Sequence, residues 1–195
     1  MDLSIMIPAR NEIFLSKTVE SILGNIQGDT EVIVIADGYE PDPPVPIHPR
    51  VRLIRKDISI GQRAATNLAA RESNAKFVMK CDAHCHFDKG FDVKLMADCE
   101  PNWTVIPRMY NLHAFDWKCT ACGHKTYQGP KPTLCDKCKS GTEFEMVVVW
   151  QPRWSRCSDY ARFDRNLKFA YWGAFKERPE AKGDITDVMS SIGAC

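Results

Sequence analysis

Residues 31–36 read Glu-Val-Ile-Val-Ile-Ala, an almost continuously apolar run. A strand apolar on both faces needs cover on both faces, the situation of a parallel sheet sandwiched between helices. Residues 3–8 (LSIMIP) are a second short apolar run, ended by a proline. Between the two, residues 12–26 place Leu15, Val19, Ile22, Leu23 and Ile26 at helical spacing on a single apolar stripe. A third strand is expected at 51–54 (VRLI), reached through the proline-rich loop PDPPVPIHP. Residues 61–73 read as a helix with Ala65, Leu68 and Ala69 inward, and 76–81 (KFVMKC) as a fourth strand. Phe91, Leu95 and Met96 mark the next helix, and 103–108 (WTVIPR) a fifth strand. Such alternation predicts an α/β sheet, mostly parallel, with right-handed crossovers.

Residues 117–141 break this pattern. They are polar, lysine-rich and nearly free of aliphatic side chains, while FEMVVVW (144–150) resumes a strand-like run. The segment therefore reads as an insertion between two sheet elements, dividing the chain into 1–116 with 142–195, and 117–141. With 195 residues there is room for one domain and a small appendage. The 26 basic and 25 acidic residues leave a net charge of +1, which gives no support for bulk attraction to nucleic acid or membrane. No apolar run approaches the length of a membrane helix, and LSIMIP runs straight into polar PARNE, unlike a secretory leader. The odd count of nine cysteines, with no export signal, favours metal binding over a disulfide framework and predicts a reducing, cytoplasmic setting.

Within the insertion, Cys119-x2-Cys122 and Cys135-x2-Cys138 each bring two thiolates to one ion from a tight turn. Two such turns complete a tetrahedral four-sulfur site, so we expect a structural zinc ribbon. Gly123 and Gly141 follow the two pairs and offer the positive φ that such turns need. With few apolar side chains available, Zn²⁺ would supply most of the folding free energy, on the order of 10 kcal/mol. Four unrelated thiols are the bland alternative. Lys118, Lys125, Lys131, Lys137 and Lys139 make the segment locally basic. They suit either contact with an anionic partner or a solvated surface.

The run VMKCDAHCHF (78–87) ends an apolar strand with Asp82 and His84. In extended chain, residues i and i+2 point the same way, and ligands of open parallel sheets sit at the carboxyl ends of strands. A carboxylate oxygen with an imidazole nitrogen suits a borderline divalent ion such as Mn²⁺ bridging phosphates. A buried Asp–His pair, or an aspartate capping the next helix, accounts equally for the spacing.

The order LSIMIPARNE, EVIVIADG, GQRAATNLAA, KFVMKCDAH resembles the nucleotide-binding half of a GT-A glycosyltransferase, family 2-like, over roughly residues 3–110. Its metal motif stands here as Asp82-Ala83-His84, an Asp-x-His form similar to that of the polypeptide N-acetylgalactosaminyltransferases. GxGxxG and GxxxxGK[ST] are both absent, which argues against a dinucleotide-binding enzyme and a P-loop NTPase. The resemblance implies a GT-A (Rossmann-like) nucleotide-diphospho-sugar transferase fold carrying the zinc ribbon as an insertion. It implies that Pro8, Ala9, Asn11 and Glu12 form the turn against the nucleotide and that Asp37 contacts base or ribose. Arg63 would lie near the nucleotide, or else be a solvent-facing helix arginine. Asp82 and His84 would hold Mn²⁺ or Mg²⁺ on the diphosphate.

DVMSSIGAC (187–195) resembles the family's segment beside the donor sugar, so a further acidic pair and a late metal ligand are expected beyond Cys195, in a longer enzyme. The implied reaction is hexosyl transfer from a nucleoside-diphosphate sugar, UDP-sugar favoured, to an acceptor hydroxyl. The acceptor, whether glycan, protein or nucleic-acid-linked, is not identified. No catalytic residue is assigned, Asp184 and Asp187 being only nearby carboxylates. Trp150, Trp154, Tyr171 and Trp172 suit either sugar stacking or a packed rim. Two other readings remain open: a zinc-ribbon binding module on an inactive transferase scaffold, and a sugar nucleotidyltransferase.

Overall fold

The computed structural model describes residues 1–99, 104–105, 107, 111–141, 143–153 and 174–176. The chain divides into two compact units, Met1–Arg108 with Ala161–Cys195, and Met109–Tyr160.

The larger unit is built on β1 (Leu3–Ala9), α1 (Leu15–Asn25), β2 (Thr30–Asp37), β3 (Val51–Lys56), α2 (Gln62–Glu72), β4 (Phe77–Lys80), α3 (Phe91–Ala97) and β5 (Thr104–Val105). One later strand, β9 (Ala174–Lys176), joins the same sheet, whose order is β3-β2-β1-β4-β9-β5. β1 pairs in parallel with β2 and β4, and β2 with β3. β9 runs antiparallel to both β4 and β5. The fifth strand of the sequence reading is thus present as β5, but its neighbour is β9 rather than a parallel partner.

Alternation across the pleat sorts the core into two layers. Leu3, Ile5, Ile7, Val32, Val34, Phe77 and Met79 cluster with Leu15, Val19 and Ile22 of α1 and with Phe91 and Leu95 of α3. Met6, Ile33, Ile35 and Val78 point the other way and cluster with Ala65 and Ala69 of α2. This two-sided burial is why the run at 31–36 has no polar face. At about 25 cal/mol per Å² of apolar surface removed from water, each fully buried Ile, Leu or Val contributes about 1.5–3 kcal/mol. Asp92, in the first turn of α3, ties the layer together at the amino end of the sheet. Its carboxylate accepts hydrogen bonds from the Gln27 and Gly28 N–H groups, 3.1 and 2.8 Å, and from Thr30 Oγ1, 2.8 Å.

The smaller unit holds β6 (Asn111–Cys119), β7 (Lys125–Tyr127) and β8 (Phe144–Arg153), an antiparallel sheet ordered β7-β6-β8. FEMVVVW therefore does not resume the parallel sheet. It pairs with β6, Phe144 opposite Cys119 and Val148 opposite Phe115, so the strands flanking the cysteine segment are partners of one another. Apolar alternation marks a strand but says nothing about its partner. Met146 and Val148 stay 38% and 50% exposed; among the described residues the unit's apolar cluster is Cys119, Cys135 and Phe144, with Trp117 against it.

Candidate functional site

The parallel register places the ends of β2, β1 and β4 side by side at one edge of the sheet, with Met6 opposite Lys80 and Ala9 opposite Ala36. Whatever follows each strand converges at that carboxyl edge.

After β1 the chain turns through Asn11, which takes a left-handed φ of 52°. Asparagine tolerates that conformation better than most side chains. Glu12 follows, half-buried, and both of its oxygens are engaged. Oε1 accepts from the Phe14 N–H at 3.0 Å, and Oε2 lies 3.1 Å from His84 Nδ1. Burial pushes the Glu12 carboxyl upward, but the hydrogen bonds from His84 and the Phe14 backbone outweigh it and hold it below its usual range. Pro8 is half-buried, and Ala9 packs in the core on the α1 side.

After β4, which stops at Lys80, Ala83 and His84 form a turn. The expected extended geometry through 82–84 is therefore replaced by a bend, yet the two side chains still meet: His84 Nε2 lies 4.0 Å from Asp82 Oδ2. The other aspartate oxygen, Oδ1, accepts from Lys80 Nζ at 2.6 Å. Lys80 is 2% exposed, a buried ammonium that needs such a partner. The Glu12 hydrogen bond raises the His84 pKa against the opposing effect of burial, and the Asp82 charge adds to the rise. Cys81 is buried in the core, where contact with the Cys85 thiol and burial push its pKa up.

After β2, Asp37 is buried and accepts hydrogen bonds from the Ile60 N–H at 2.6 Å, Ser59 Oγ at 2.8 Å and the Gly61 N–H at 2.9 Å. The lock is tight. Gly38 sits at φ 74°, and a Cβ there would meet the Ser59 nitrogen at 2.6 Å. Of about four carboxylate lone-pair directions, three are therefore spent within the protein. Arg63 lies exposed in the first turn of α2. Tyr39 follows close by, its hydroxyl raised to about 12 by burial.

In the smaller unit, Cys119, Cys122, Cys135 and Cys138 bring their sulfurs within 4.8 Å of one another, and among the described residues they are the one group of three or more His, Cys, Asp or Glu close enough to share a metal ion. Cys119 Sγ lies 3.8 Å from Cys138 Sγ, and Cys122 Sγ 3.6 Å from Cys135 Sγ. A tetrahedron of sulfurs at about 2.3 Å from a central ion has edges of about 3.8 Å, so the donor set fits a thiophilic divalent ion. The two turns repeat each other. Gly123 N–H donates to Cys119 O and Lys139 N–H to Cys135 O, both at 2.9 Å. Cys119 N–H donates to His124 O, and Cys135 N–H to Ser140 O. The N–H of Cys138, helped by that of Lys137, holds the Cys135 thiol below its usual range. The left-handed residue of the second turn is Lys139, at φ 55°, not Gly141 as its nearness in sequence suggests. The hydrogen-bond repeat requires that conformation four residues after each leading cysteine, whatever residue stands there.

Trp150 lies in β8, while Trp154, Tyr171, Trp172, Asp184, Asp187 and the segment 187–195 lie outside the described residues. Sequence reasoning missed Lys80 and the Glu12–His84 bond. A lysine closing an otherwise apolar strand was the available signal for the first. The second joins residues 72 apart and left none. Among the described residues, no helix is long and apolar enough to cross a membrane.

Residues 4–143 match the family described as Glycosyl transferase family 2. Among solved structures, the chain is similar to Staphylococcus aureus TarS 1–349 in complex with UDP-GlcNAc, at 16% identity and TM-score 0.44 over 50% of this chain and 30% of that one. It is also similar to the mannosyltransferase PcManGT from Pyrobaculum calidifontis in complex with GDP-Man and Mn²⁺, at 16% identity and TM-score 0.46 over 56% of this chain and 35% of that one. The chain spans about a third of the length of these structures. No curated protein matches it.

Proposed function

Because the chain belongs to glycosyl transferase family 2, with the GT-A arrangement of a parallel sheet between helices, we propose that it is the nucleotide-sugar-binding part of a metal-dependent glycosyltransferase. The donor class is a nucleoside-diphosphate sugar, UDP-sugar favoured, and the acceptor supplies a hydroxyl. One observation carries the reading. At the end of β4, Asp82 Oδ2 and His84 Nε2 face each other at 4.0 Å, beside the turn after β1.

One carboxylate oxygen and one imidazole nitrogen are donors that a borderline divalent ion such as Mn²⁺ accepts, so the site fits that cation better than the harder, oxygen-preferring Mg²⁺. When bound, that ion supplies Lewis-acid neutralisation of the leaving diphosphate, worth several kcal/mol of transition-state charge. Asp82 and His84 would hold it. Lys80 supports Asp82 and brings a fixed positive charge to the edge where the phosphates would lie. Asn11, with Pro8 and Ala9 leading into it, shapes the floor of the site. Asp37, with its one remaining acceptor direction, and the exposed Arg63 stand on the side where base and ribose would sit. The four cysteines hold Zn²⁺ as a structural ribbon, with Cys119, Cys122, Cys135 and Cys138 as its ligands. The ribbon folds within the smaller unit and takes no part in the transfer.

Calorimetry of the chain with UDP and Mn²⁺ tests the proposal. We expect binding that needs both components and is lost in Asp82→Asn with the zinc content unchanged. Absence of UDP binding together with tight oligonucleotide binding would replace it with the zinc-ribbon module on an inactive scaffold.

A further inference from the structure

Glu12 comes from the turn after β1, and each of its oxygens already has a partner within the protein: the Phe14 N–H on Oε1 and His84 on Oε2. A carboxylate can only accept a hydrogen bond, so the 3.1 Å contact to His84 Nδ1 requires the proton to sit on Nδ1. In the neutral ring the lone pair is then on Nε2. That nitrogen is the one facing Asp82 Oδ2. The same selection acts on the aspartate. The Lys80 ammonium, which only donates, holds Oδ1, so Oδ2 is the oxygen turned toward His84. Each candidate ligand thus has two candidate atoms, and a fixed partner engages one of them. The remaining atoms are the pair that faces across 4.0 Å.

The His84 ring is 56% exposed, so packing alone does not hold it, whereas the Glu12 side chain is 21% exposed and already anchored to Phe14. We infer that Glu12 is a positioning residue for the cation site: it fixes the tautomer and orientation of His84 so that Nε2, and not Nδ1, is offered beside Asp82 Oδ2. This inference rests on the metal-dependent reading above. It gives Glu12 a role besides the nucleotide contact that the resemblance implies.

The test compares wild type, Glu12→Ala, Glu12→Gln and Asp82→Asn as full chains, each checked for an unchanged melting temperature. Two readouts are used: calorimetry with Mn²⁺ and UDP, and ¹⁵N NMR of the metal-free imidazole at a pH where the ring is neutral. Wild type should show His84 protonated at Nδ1. Glu12→Ala should show mixed tautomers and bind Mn²⁺ with UDP about 10–100-fold more weakly, the cost of losing a partner behind a metal-ligating histidine. Glu12→Gln keeps an amide oxygen to accept from Nδ1 and should recover most of the affinity and the wild-type tautomer. An unchanged tautomer in Glu12→Ala overturns the inference. So does wild-type affinity in Glu12→Ala when Asp82→Asn has lost it, and the cation reading then stands alone. If wild type binds no Mn²⁺, both fall together.

Discussion

Replacing Asp37 with asparagine removes part of the lock between the end of β2 and the turn that opens α2. The carboxylate accepts three hydrogen bonds, from Ile60 N–H at 2.6 Å, Ser59 Oγ at 2.8 Å and Gly61 N–H at 2.9 Å. A hydrogen bond to an ionised acceptor contributes about 1.5–3 kcal/mol when its donor is otherwise buried. Here Ile60 and Gly61 are exposed, so water recovers much of the loss. About 1 kcal/mol per bond, roughly 3 kcal/mol in all, is the fitting figure. Asparagine keeps one acceptor oxygen and sets its NH₂ against a donor, so Asp37→Asn should cost about 2 kcal/mol.

The pH dependence has a definite sign. Burial alone would raise the Asp37 pKa, but the Ile60, Ser59 and Gly61 hydrogen bonds outweigh it and hold the carboxyl below its usual range. A depressed carboxylate stabilises the fold above its unfolded-state pKa, about 3.9, and loses that contribution as pH falls through the folded value. The wild-type advantage should be complete at pH 7 and shrink below about pH 4. Urea unfolding followed by circular dichroism reads it. With a slope of about 2 kcal/mol/M, the midpoint of Asp37→Asn should fall by about 1 M at pH 7 with the slope unchanged. A shift below about 0.2 M, or one of equal size at pH 7 and pH 3.5, refutes the lock. Wild-type stability with lost UDP affinity would assign Asp37 to the ligand instead.

Three further outcomes concern the cysteine cluster. Cys135→Ser should release the metal, read as zinc content by elemental analysis, and unfold the smaller unit while the parallel sheet keeps its circular dichroism. Phe144 contributes about 2–3 kcal/mol of burial, against roughly 10 kcal/mol from the ion, and among the described residues its cluster holds besides it Cys119, Cys135 and Trp117. Lys139→Gly should relieve the left-handed strain at φ 55° and tighten zinc about 2–5-fold in chelator competition, a gain of about 0.5–1 kcal/mol. Gly123→Ala should weaken it similarly, since Gly123 has φ 69° and nothing within 4 Å of an added Cβ. Equal affinities across the three proteins would remove φ as the cause.

The sequence by itself determined what depends on neighbours along the chain. Continuous apolarity at 31–36 announced a strand covered on both faces, and the stripe Leu15, Val19, Ile22 announced the helix beneath it; both were legible because period and burial are local properties. The CxxC spacing announced four converging sulfurs for the same reason, each turn being complete within six residues. Strand partners are a different matter. Nothing in FEMVVVW says that it pairs with β6, or that β9 enters antiparallel between β4 and β5, because every strand offers the same backbone donors and acceptors and the partner lies elsewhere in the chain.

The candidate site divides in the same way. Asp82 and His84 could be singled out because they end an apolar strand, but the atoms they present were decided only when the turn after β1 came to lie beside them. Glu12 and His84 are 72 residues apart, and it is the parallel pairing of β1 with β4 that joins their turns. Asp37, marked by its place after β2, is engaged by a loop reached only through β3. The sulfur turn itself required a lysine at Cys135 plus four to adopt a glycine's conformation, since its hydrogen-bond geometry outweighs the roughly 1 kcal/mol preference of one residue. Local pattern chose the elements and the chemistry. Which atoms face one another was left to the register of the sheet.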